Sequence, residues 1–530
     1  MITQEFLDRK TYTDLLNKRL KGLLSGYRQN IAIIGEELVG KTSIIFKFLE
    51  KFYDNRIVIS YLEIRQESLE YFVKRFIGVL LYNFLINSDV VLKDDINFLI
   101  EKSEKYIPKT VEKIKSILSL VKKKKQTEIF TELFSLPEIL HSETGKHCVI
   151  ILDEFLNLEK LGFKNLYREW SKLLITQKHT MYIIVSSLEF KAKTTLTKHL
   201  SLLFGNFEVI QVEPLDIKTS EQYLEQKLSG LSLNSGLKNF VVHFSGGYPL
   251  YLRVIAEELS KSKEQNLAEI LENLLFDASG TLNQRFSNYI KRFQDSNYGN
   301  DYISILYLIS CGRNKIKDIA HLLHKQQKEL FLRINHLLEL DTIIRSGDFL
   351  RINDRVFSFW LRFIHEEKLN SLTFDARKQK ALFKDKIGAI INEFLASTHK
   401  PLTERMTELL RLFEDEMIQM ERKKIRLDHF REIKQLEFSN GRLKDGLIGR
   451  SSDCLWIVGV KKEVLTEEDV ADFAKECKKY RHKLQRKVIV TLNDIDANTR
   501  LRALEEKVWT WDINNLNLIF DLFSKPGITA

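Results

Sequence analysis

The chain has 530 residues, too many for one hydrophobic core, so roughly two to four domains are expected. Apolar residues make up 44 % and charged residues 29 %, and with only 6 Pro and 22 Gly no long disordered linker is expected. Lys and Arg outnumber Asp and Glu by 82 to 72, a surplus of 10 that suits a nucleic-acid partner and equally a solvated basic surface.

The four cysteines, Cys148, Cys311, Cys454 and Cys477, show no CxxC spacing, which excludes a zinc module or a disulfide framework built on paired cysteines. That usage favours a reducing compartment. The first residues, "MITQEFLDRKTYTD", carry charges throughout and no apolar core of signal-peptide length. No stretch reaches the roughly 18 uncharged apolar residues of a membrane span. A cytoplasmic protein with no membrane contact is expected.

From the start to about residue 290, strands alternate with helices. Short β-branched runs stand at "NIAIIG" (30–35), "RIVISYL" (56–62), "CVIILD" (148–153), "MYIIVSS" (181–187) and "FEVIQV" (207–212). Their separation by helical patterns predicts a parallel sheet covered on both faces. An insertion over 65–147 contains "VEKIKSILSLVKKKK", whose run Lys122 to Lys125 reads as a solvated helix end. Residues 213 to 290 read as helical, 302 to 365 as three short helices and a hairpin, and 378 onward as helical again. After about 433 the pattern turns strand-rich, and it ends as strand, helix, strand, helix. Thr466 with Asp469 three residues on has the form of a capping box.

The chemistry concentrates in "IIGEELVGKTS", residues 33–43. Gly35 and Gly40 bracket Glu36, Glu37, Leu38 and Val39, and Lys41, Thr42 and Ser43 follow. Such a loop wraps backbone N–H groups around phosphate, with the start of the next helix adding its positive dipole end. Lys41 would bridge the β- and γ-phosphates, and Thr42 would ligate Mg²⁺. "HCVIILDEF" supplies the acid such a loop needs: Asp153 ends an apolar strand and would reach Mg²⁺. Glu154 follows as the candidate general base for water attack. Ser186 and Ser187 close the next strand, where a polar group could touch the γ-phosphate or the attacking water. The expected ligands are therefore ATP and Mg²⁺, and the expected reaction is ATP hydrolysis. No Asn-Lys-x-Asp guanine-reading motif is present.

This order of phosphate loop, Asp-Glu strand, polar strand end and a helical region with "GGYPLYL" resembles the archaeal-type ATPases of the STAND lineage, relatives of AAA+ replication initiators. The resemblance implies that Arg9, in "FLDRKTYTDLLNKRL", packs near the adenine, although the acid that follows in the family is replaced by Lys10 and Thr11. It implies that Gly246, Gly247 and Pro249 belong to a lid that reads nucleotide state. "SSLEF" lacks the arginine the family often carries near that strand, which leaves Arg168 and Arg253 as arginine-finger candidates.

"DYISILYLISCGRNKIKDIAHLLHKQQKELFLRINHLLELDTIIRSGDFLRI" resembles a winged helix-turn-helix. Leu330, Ile334, Leu337 and Leu338 would form the buried face of its third helix, and Lys325, Lys328, Arg333 and His336 could face phosphates. Arg345 and Arg351 lie on the hairpin. The C-terminal part resembles a restriction-endonuclease-like domain, whose site needs an Asp, then an acid-x-Lys at a strand end. Asp445 and Lys461 match, but Gly459 stands where the second acid belongs, and Asp453 precedes that strand rather than ending it. The domain is therefore expected to be a degenerate, inactive nuclease. "ECKKYRHKLQRK" reads as a basic helix with Lys478, Lys479, Arg481, Lys483 and Arg486, either phosphate-facing or simply solvated.

The expected architecture is α/β: a P-loop NTPase core over 1–212 with a parallel sheet, a helical lid over 213–295, a winged helix over 300–365, and a nuclease-like α/β domain over 378–530. The expected function is an ATP-hydrolysing switch coupled to double-stranded DNA or another nucleic acid, or to a protein effector. The rival readings are an ATP-regulated Mg²⁺-dependent nuclease and a non-hydrolysing ATP-binding scaffold. Nothing in the sequence sets an oligomeric state.

Overall fold

A computed structural model describes residues 9–86, 92–122, 126–200, 206–229, 233–262, 266–294, 298–365, 375–420, 423–438, 442–452, 454–480 and 484–529. Lys123 to Lys125, Asp453, Arg481 and Lys483 lie outside these. The chain divides into two units: residues 1–214 with 339–341, and 215–338 with 342–530.

The first unit is mixed α/β around one parallel sheet. Its strands are β1 (Asn30–Ile34), β2 (Ile57–Glu63), β3 (His147–Asp153), β4 (Thr180–Ser186) and β5 (Phe207–Gln211). They lie in the order β2-β3-β4-β1-β5, and every neighbouring pair is parallel. All of β1 and β4 is buried, as the uninterrupted apolar runs predict for a sheet covered on both faces. The helix Lys41–Lys51 turns Ile44, Ile45 and Phe48 inward. The 65–147 insertion folds as the helices Leu69–Leu85, Ile96–Glu104, Pro108–Lys122 and Gln126–Thr144. Phe72, Val73, Phe76, Ile77, Leu80 and Leu81 repeat at helical spacing and merge with the sheet's core. Ser68 and Asp95 cap two of these helices by accepting from Tyr71 N and Phe98 N.

Among the described residues, the second unit begins with five helices between Ile217 and Gln294. Gly247 ends a turn here at φ +77°, and its carbonyl accepts from Leu215 N. A Cβ at this position would stand 2.1 Å from the Leu215 carbonyl oxygen, so the second glycine of "GGYP" is required by a close backbone approach. Pro249 opens the helix Pro249–Lys261, the position its fixed φ suits.

Three helices, Gly299–Ser310, Ile316–Leu322 and Gln327–Glu339, precede the antiparallel hairpin of β6 (Ile343–Ser346) and β7 (Phe349–Ile352). The long helix Ala376–Thr398 and the shorter Leu402–Leu410 follow. Strands begin earlier than the sequence suggests: β8 (Glu416–Met420) and β9 (Lys423–Leu427) form a hairpin inside the stretch that reads as helix. Glu, Gln, Met and Lys in "EMIQM" and "KKIRL" are good helix formers, yet Ile418, Met420, Ile425 and Leu427 alternate inward at period two, and that burial decides the outcome.

The last sheet contains β10 (Glu432–Glu437), β11 (Asp445–Arg450), β12 (Leu455–Lys461), β13 (Leu484–Thr491) and β14 (Val508–Trp511), in that order. The first three pair antiparallel and the last three parallel. Separate apolar clusters cover its two faces, one around Trp456, Val458 and Val490, the other around Ile457, Phe473 and Ile489. Thr466 and Asp469 do form the capping box of helix Glu467–Cys477.

His243, on the helix Ser235–Ser245, is held by Arg355, whose Nη1 donates to Nδ1 at 3.1 Å and to the His243 carbonyl at 2.9 Å. A guanidinium can only donate, so Nδ1 carries a lone pair and the ring is neutral. Burial first, and then the Arg355 charge, push its pKa down to about 3. A base with a depressed folded pKa stabilises the fold above its unfolded value of about 6.5 and loses that contribution as pH falls toward 3. Between pH 6.5 and 5, unfolding free energy should therefore fall by up to about 1.4 kcal/mol per pH unit through this group. Urea titrations at several pH values check this, and His243→Gln should flatten the slope in that window. An equal slope in the variant would remove His243 from the account.

Candidate active site

The loop between β1 and the helix Lys41–Lys51 is shaped by two glycines with different tasks. Gly35 leaves the strand so close to the chain beyond β5 that a Cβ would lie 2.2 Å from the Val212 carbonyl oxygen. Gly40 caps the helix at φ +94°, a left-handed conformation that L side chains rarely take. Between them Glu37 is exposed, Leu38 also has positive φ (68°), and Val39 is fully buried and anchors the turn. Ser43 faces solvent on the first helical turn.

Lys41 is only 5 % exposed. Its Nζ donates to the carbonyls of Gly35 at 2.9 Å and Glu36 at 2.7 Å. Both acceptors are neutral, so among the described residues the ammonium meets no carboxylate at contact distance. Desolvation lowers its pKa, and the charges of Glu154 and Asp153, then Glu37 and Glu36, oppose that shift. A desolvated cation in the first turn of a helix is a favourable site for a polyanion.

Thr42 Oγ1 donates to Asp153 Oδ2 at 2.9 Å, and the Tyr61 hydroxyl donates to the same oxygen at 2.8 Å. Asp153 is buried at the end of β3, and its Oδ1 accepts from Glu154 N at 3.0 Å. The fold therefore brings the hydroxyl of the loop and the strand-end carboxylate together across 111 residues of sequence. These are hard oxygen donors, the set Mg²⁺ prefers, and Thr42 and Asp153 are the residues that would hold it. The ion would supply charge neutralisation at the phosphates. Tyr61 was not legible in the sequence. It faces Asp153 only because β2 pairs with β3, and no local pattern reports that pairing.

Glu154 sits at φ +52°, a strained conformation for a side-chain-bearing residue. Its carboxylate is held by Ser187, whose Oγ donates to Oε1 in a short bond and whose N donates to Oε2 at 3.2 Å. Burial raises the Glu154 pKa, while the Ser187 bonds and Lys41 oppose the rise. A partly buried carboxylate with a raised pKa is the profile of a general base. Ser186 is placed differently from its neighbour: its Oγ accepts from Leu188 N at 3.1 Å and donates to Leu188 O at 3.3 Å. It closes the strand-end turn, and Ser187 alone reaches the acid.

Because Ser187 stabilises the charged form of Glu154, Ser187→Ala should raise the glutamate's pKa further. If Glu154 is the base, turnover needs it ionised, so the acid limb of the pH–rate profile should move to higher pH. The loss of rate should be severalfold larger at pH 6 than at pH 8.5. An unmoved limb with a uniform loss would make Ser187 a structural residue only.

The remaining candidates are placed as follows. Arg9 Nη2 donates to the Glu213 carbonyl at 3.0 Å, and its guanidinium lies 5.9 Å from the Tyr12 ring centre. Arg168 is exposed on the helix Leu166–Thr176, and Arg253, in the second unit, stands 3.9 Å from Glu257. Lys325 and Arg333 both close on Asp301, at 2.6 and 2.5 Å, so one carboxylate engages both cations and the trio keeps a net charge of +1. The hairpin tip is also engaged: Asp348 N donates to the Met417 carbonyl, Met417 N to Asp348 Oδ2, and Ser346 Oγ to the Gln419 carbonyl. Arg351 pairs with Asp521 at 3.5 Å.

The expected nuclease pair is not assembled. Register sets Asp445 opposite Val460, so the two share a face, and alternation puts Lys461 on the face of Gly459. Lys461 instead contacts Asp469 at 3.4 Å, inside the capping box. A Cβ at Gly459 would meet the Phe473 ring at 2.9 Å and Leu443 at 3.3 Å, an apolar setting that rejects a carboxylate. The basic helix is also corrected. It ends at Cys477, and Arg486 lies on β13, stacked 4.3 Å from Trp509 and 5.1 Å from Trp456.

No family model matches the chain, and no curated protein matches it. Solved structures similar to it include a Walker-type ATPase of Pyrococcus abyssi, with 18 % identity over 68 % of this chain and 97 % of that one, at a TM-score of 0.49. The ORC2 protein of Aeropyrum pernix in its ADPNP–ADP complexes has 11 % identity over 73 % and 96 % of the two chains, at 0.41. The ORC1 protein of Aeropyrum pernix in complex with DNA has 13 % identity over 68 % and 94 %, at 0.35. At such TM-scores the functional reading rests on the site's own residues.

Proposed function

We propose that the protein binds ATP with Mg²⁺ and hydrolyses it, and that nucleotide state in the first unit controls the activity of the rest of the chain. One observation carries this reading: the loop hydroxyl of Thr42 and the strand-end carboxylate of Asp153 meet at 2.9 Å, with Glu154 adjacent. In this reading Lys41 holds the β- and γ-phosphates, the loop N–H groups cradle them, and Glu154 takes the proton of the attacking water. Gly246, Gly247 and Pro249 would belong to the lid that senses the nucleotide, and Arg9 to the adenine side.

The surplus of 10 positive charges supports coupling to nucleic acid. A protein effector is the second reading, favoured by the capture of Lys325 and Arg333 on Asp301 and of the hairpin tip on β8. The nuclease reading loses its support with the separation of Asp445 from Lys461.

The test is steady-state ATP hydrolysis with Mg²⁺, with and without double-stranded DNA, in wild type and Lys41→Ala. Turnover that disappears in the variant supports the ATPase, and a rise with DNA supports nucleic-acid coupling. Turnover indifferent to DNA moves the weight to a protein effector. Absence of both ATP binding and turnover in the wild type would sink the proposal.

A further inference from the structure

At the other end of β3 from Asp153, three histidines converge. His141 lies in the last turn of the helix Gln126–Thr144, His147 is the first residue of β3, and His179 precedes β4. One ring nitrogen from each lies within 4.8 Å of the other two. The His141 and His179 rings stack with centres 3.7 Å apart at 9°, and His147 lies 5.0 and 5.3 Å from them.

From this geometry we infer a binding site for one divalent transition metal ion, with Zn²⁺ as the representative, held by His141, His147 and His179.

Two features point to a cation. His141 Nδ1 lies 3.0 Å from the Lys146 carbonyl, which can only accept, so Nδ1 carries the proton and Nε2 keeps its lone pair. A ligating histidine is commonly oriented by this kind of bond on its other nitrogen. His147 Nδ1 and His179 Nδ1 are buried and have no hydrogen-bond partner. Two buried nitrogens left this way would each cost about 1–3 kcal/mol, a cost that a metal bond removes.

The imidazole set selects a borderline metal such as zinc and not Mg²⁺, which requires oxygen ligands. Zn–N bonds of about 2.1 Å at a tetrahedral angle place two ligand nitrogens about 3.4 Å apart. The 4.8 Å limit and the parallel stack therefore mean that the nitrogens close by up to about 1.4 Å and one ring rotates when the ion binds. Glu138 supports the site from behind: its Oε1 accepts from His179 N at 2.8 Å and from Thr180 Oγ1 at 2.9 Å. The cluster includes no fourth His, Cys or carboxylate among the described residues, which leaves a coordination position for water.

The ion's role would be structural. Six residue steps of β3 at about 3.3 Å separate His147 from Asp153 by about 20 Å, too far for a part in phosphate chemistry. The ion would instead tie the end of the helical insertion to the starts of two central strands.

The test uses tag-free, full-length protein stripped with chelator and titrated with Zn²⁺ against a colorimetric competitor. One equivalent should bind, with a rise in Tm, and affinity should fall at least tenfold in His179→Ala and in His141→Ala. Absence of stoichiometric uptake by wild type overturns the inference, as does unchanged uptake in either variant. Should a variant fail to fold, the zinc-edge absorption spectrum of loaded wild type decides. Three imidazole scatterers support the site, and a shell containing sulfur overturns it.

Discussion

Glu154→Gln should reduce ATP turnover by about 10²–10⁴-fold, the range expected when a general base is removed, and leave nucleotide affinity within a few-fold of wild type. The replacement is nearly isosteric. Its amide oxygen can still accept from Ser187 Oγ, while its amide nitrogen cannot accept from Ser187 N as Oε2 does, so one of the two bonds to the turn after β4 is kept. What it cannot do is take a proton from water. Stability supplies an independent check. Burial raises the folded pKa of Glu154, so its charge opposes folding at high pH, and that cost disappears as pH falls through the folded pKa. The glutamine carries no charge to desolvate. The variant should therefore be at least as stable as wild type at pH 8, with the difference closing toward acid. Equal turnover in the two proteins would show that Glu154 is not the base. Equal loss of turnover and of binding would show that it serves the loop rather than the water.

The parts of this site that were legible in the sequence are those whose chemistry and geometry are both local. Gly35 to Thr42 is one such stretch, because phosphate binding by backbone N–H groups needs consecutive residues. Asp153 and Glu154 are another, because a carboxylate at the end of an apolar run marks a strand end pointing at a ligand. Tyr61 and the division of labour between Ser186 and Ser187 were not legible. Each depends on a neighbour that only the strand order β2-β3-β4-β1 supplies. The histidine trio has the same origin, since 38 residues of sequence separate its outer members and the sheet alone unites them.

In the second unit the failures have other causes. β8 and β9 are short strands written in helix-forming residues, and only burial reveals their period of two. The motif spacing that suggested Asp445 and Lys461 counts residues but not faces, and the register separates the two. Arg486 appears in the sequence as one more charge in a basic run. Its surroundings, Trp456 and Trp509, come from strands distant in the chain, and its burial against them lowers its tendency to act as a surface cation.

The two glycines of the loop should fail differently when replaced by alanine. At Gly40 nothing lies within 4 Å of an added Cβ, and the cost is that of φ +94° alone. A left-handed residue costs about 1–2 kcal/mol, so Gly40→Ala should fold with a modestly lower Tm and retain weakened ATP binding. At Gly35 the added atom meets the Val212 carbonyl oxygen at 2.2 Å and its carbon at 3.2 Å. Neither side can yield easily: Gly35 N is bound to the Ser186 carbonyl, and Val212 N to the Ile34 carbonyl at 2.8 Å. Relief must come from moving the end of β1 away from the chain beyond β5, at about 1–3 kcal/mol or more for an overpacked site. That movement also displaces the Gly35 carbonyl, which accepts from Lys41 Nζ. Gly35→Ala should therefore lose both more stability than Gly40→Ala and essentially all ATP binding, measured as the ATP-dependent shift in Tm. If Gly35→Ala proves the milder of the two, the close backbone approach is not what requires glycine there. The loop's demands would then be conformational only.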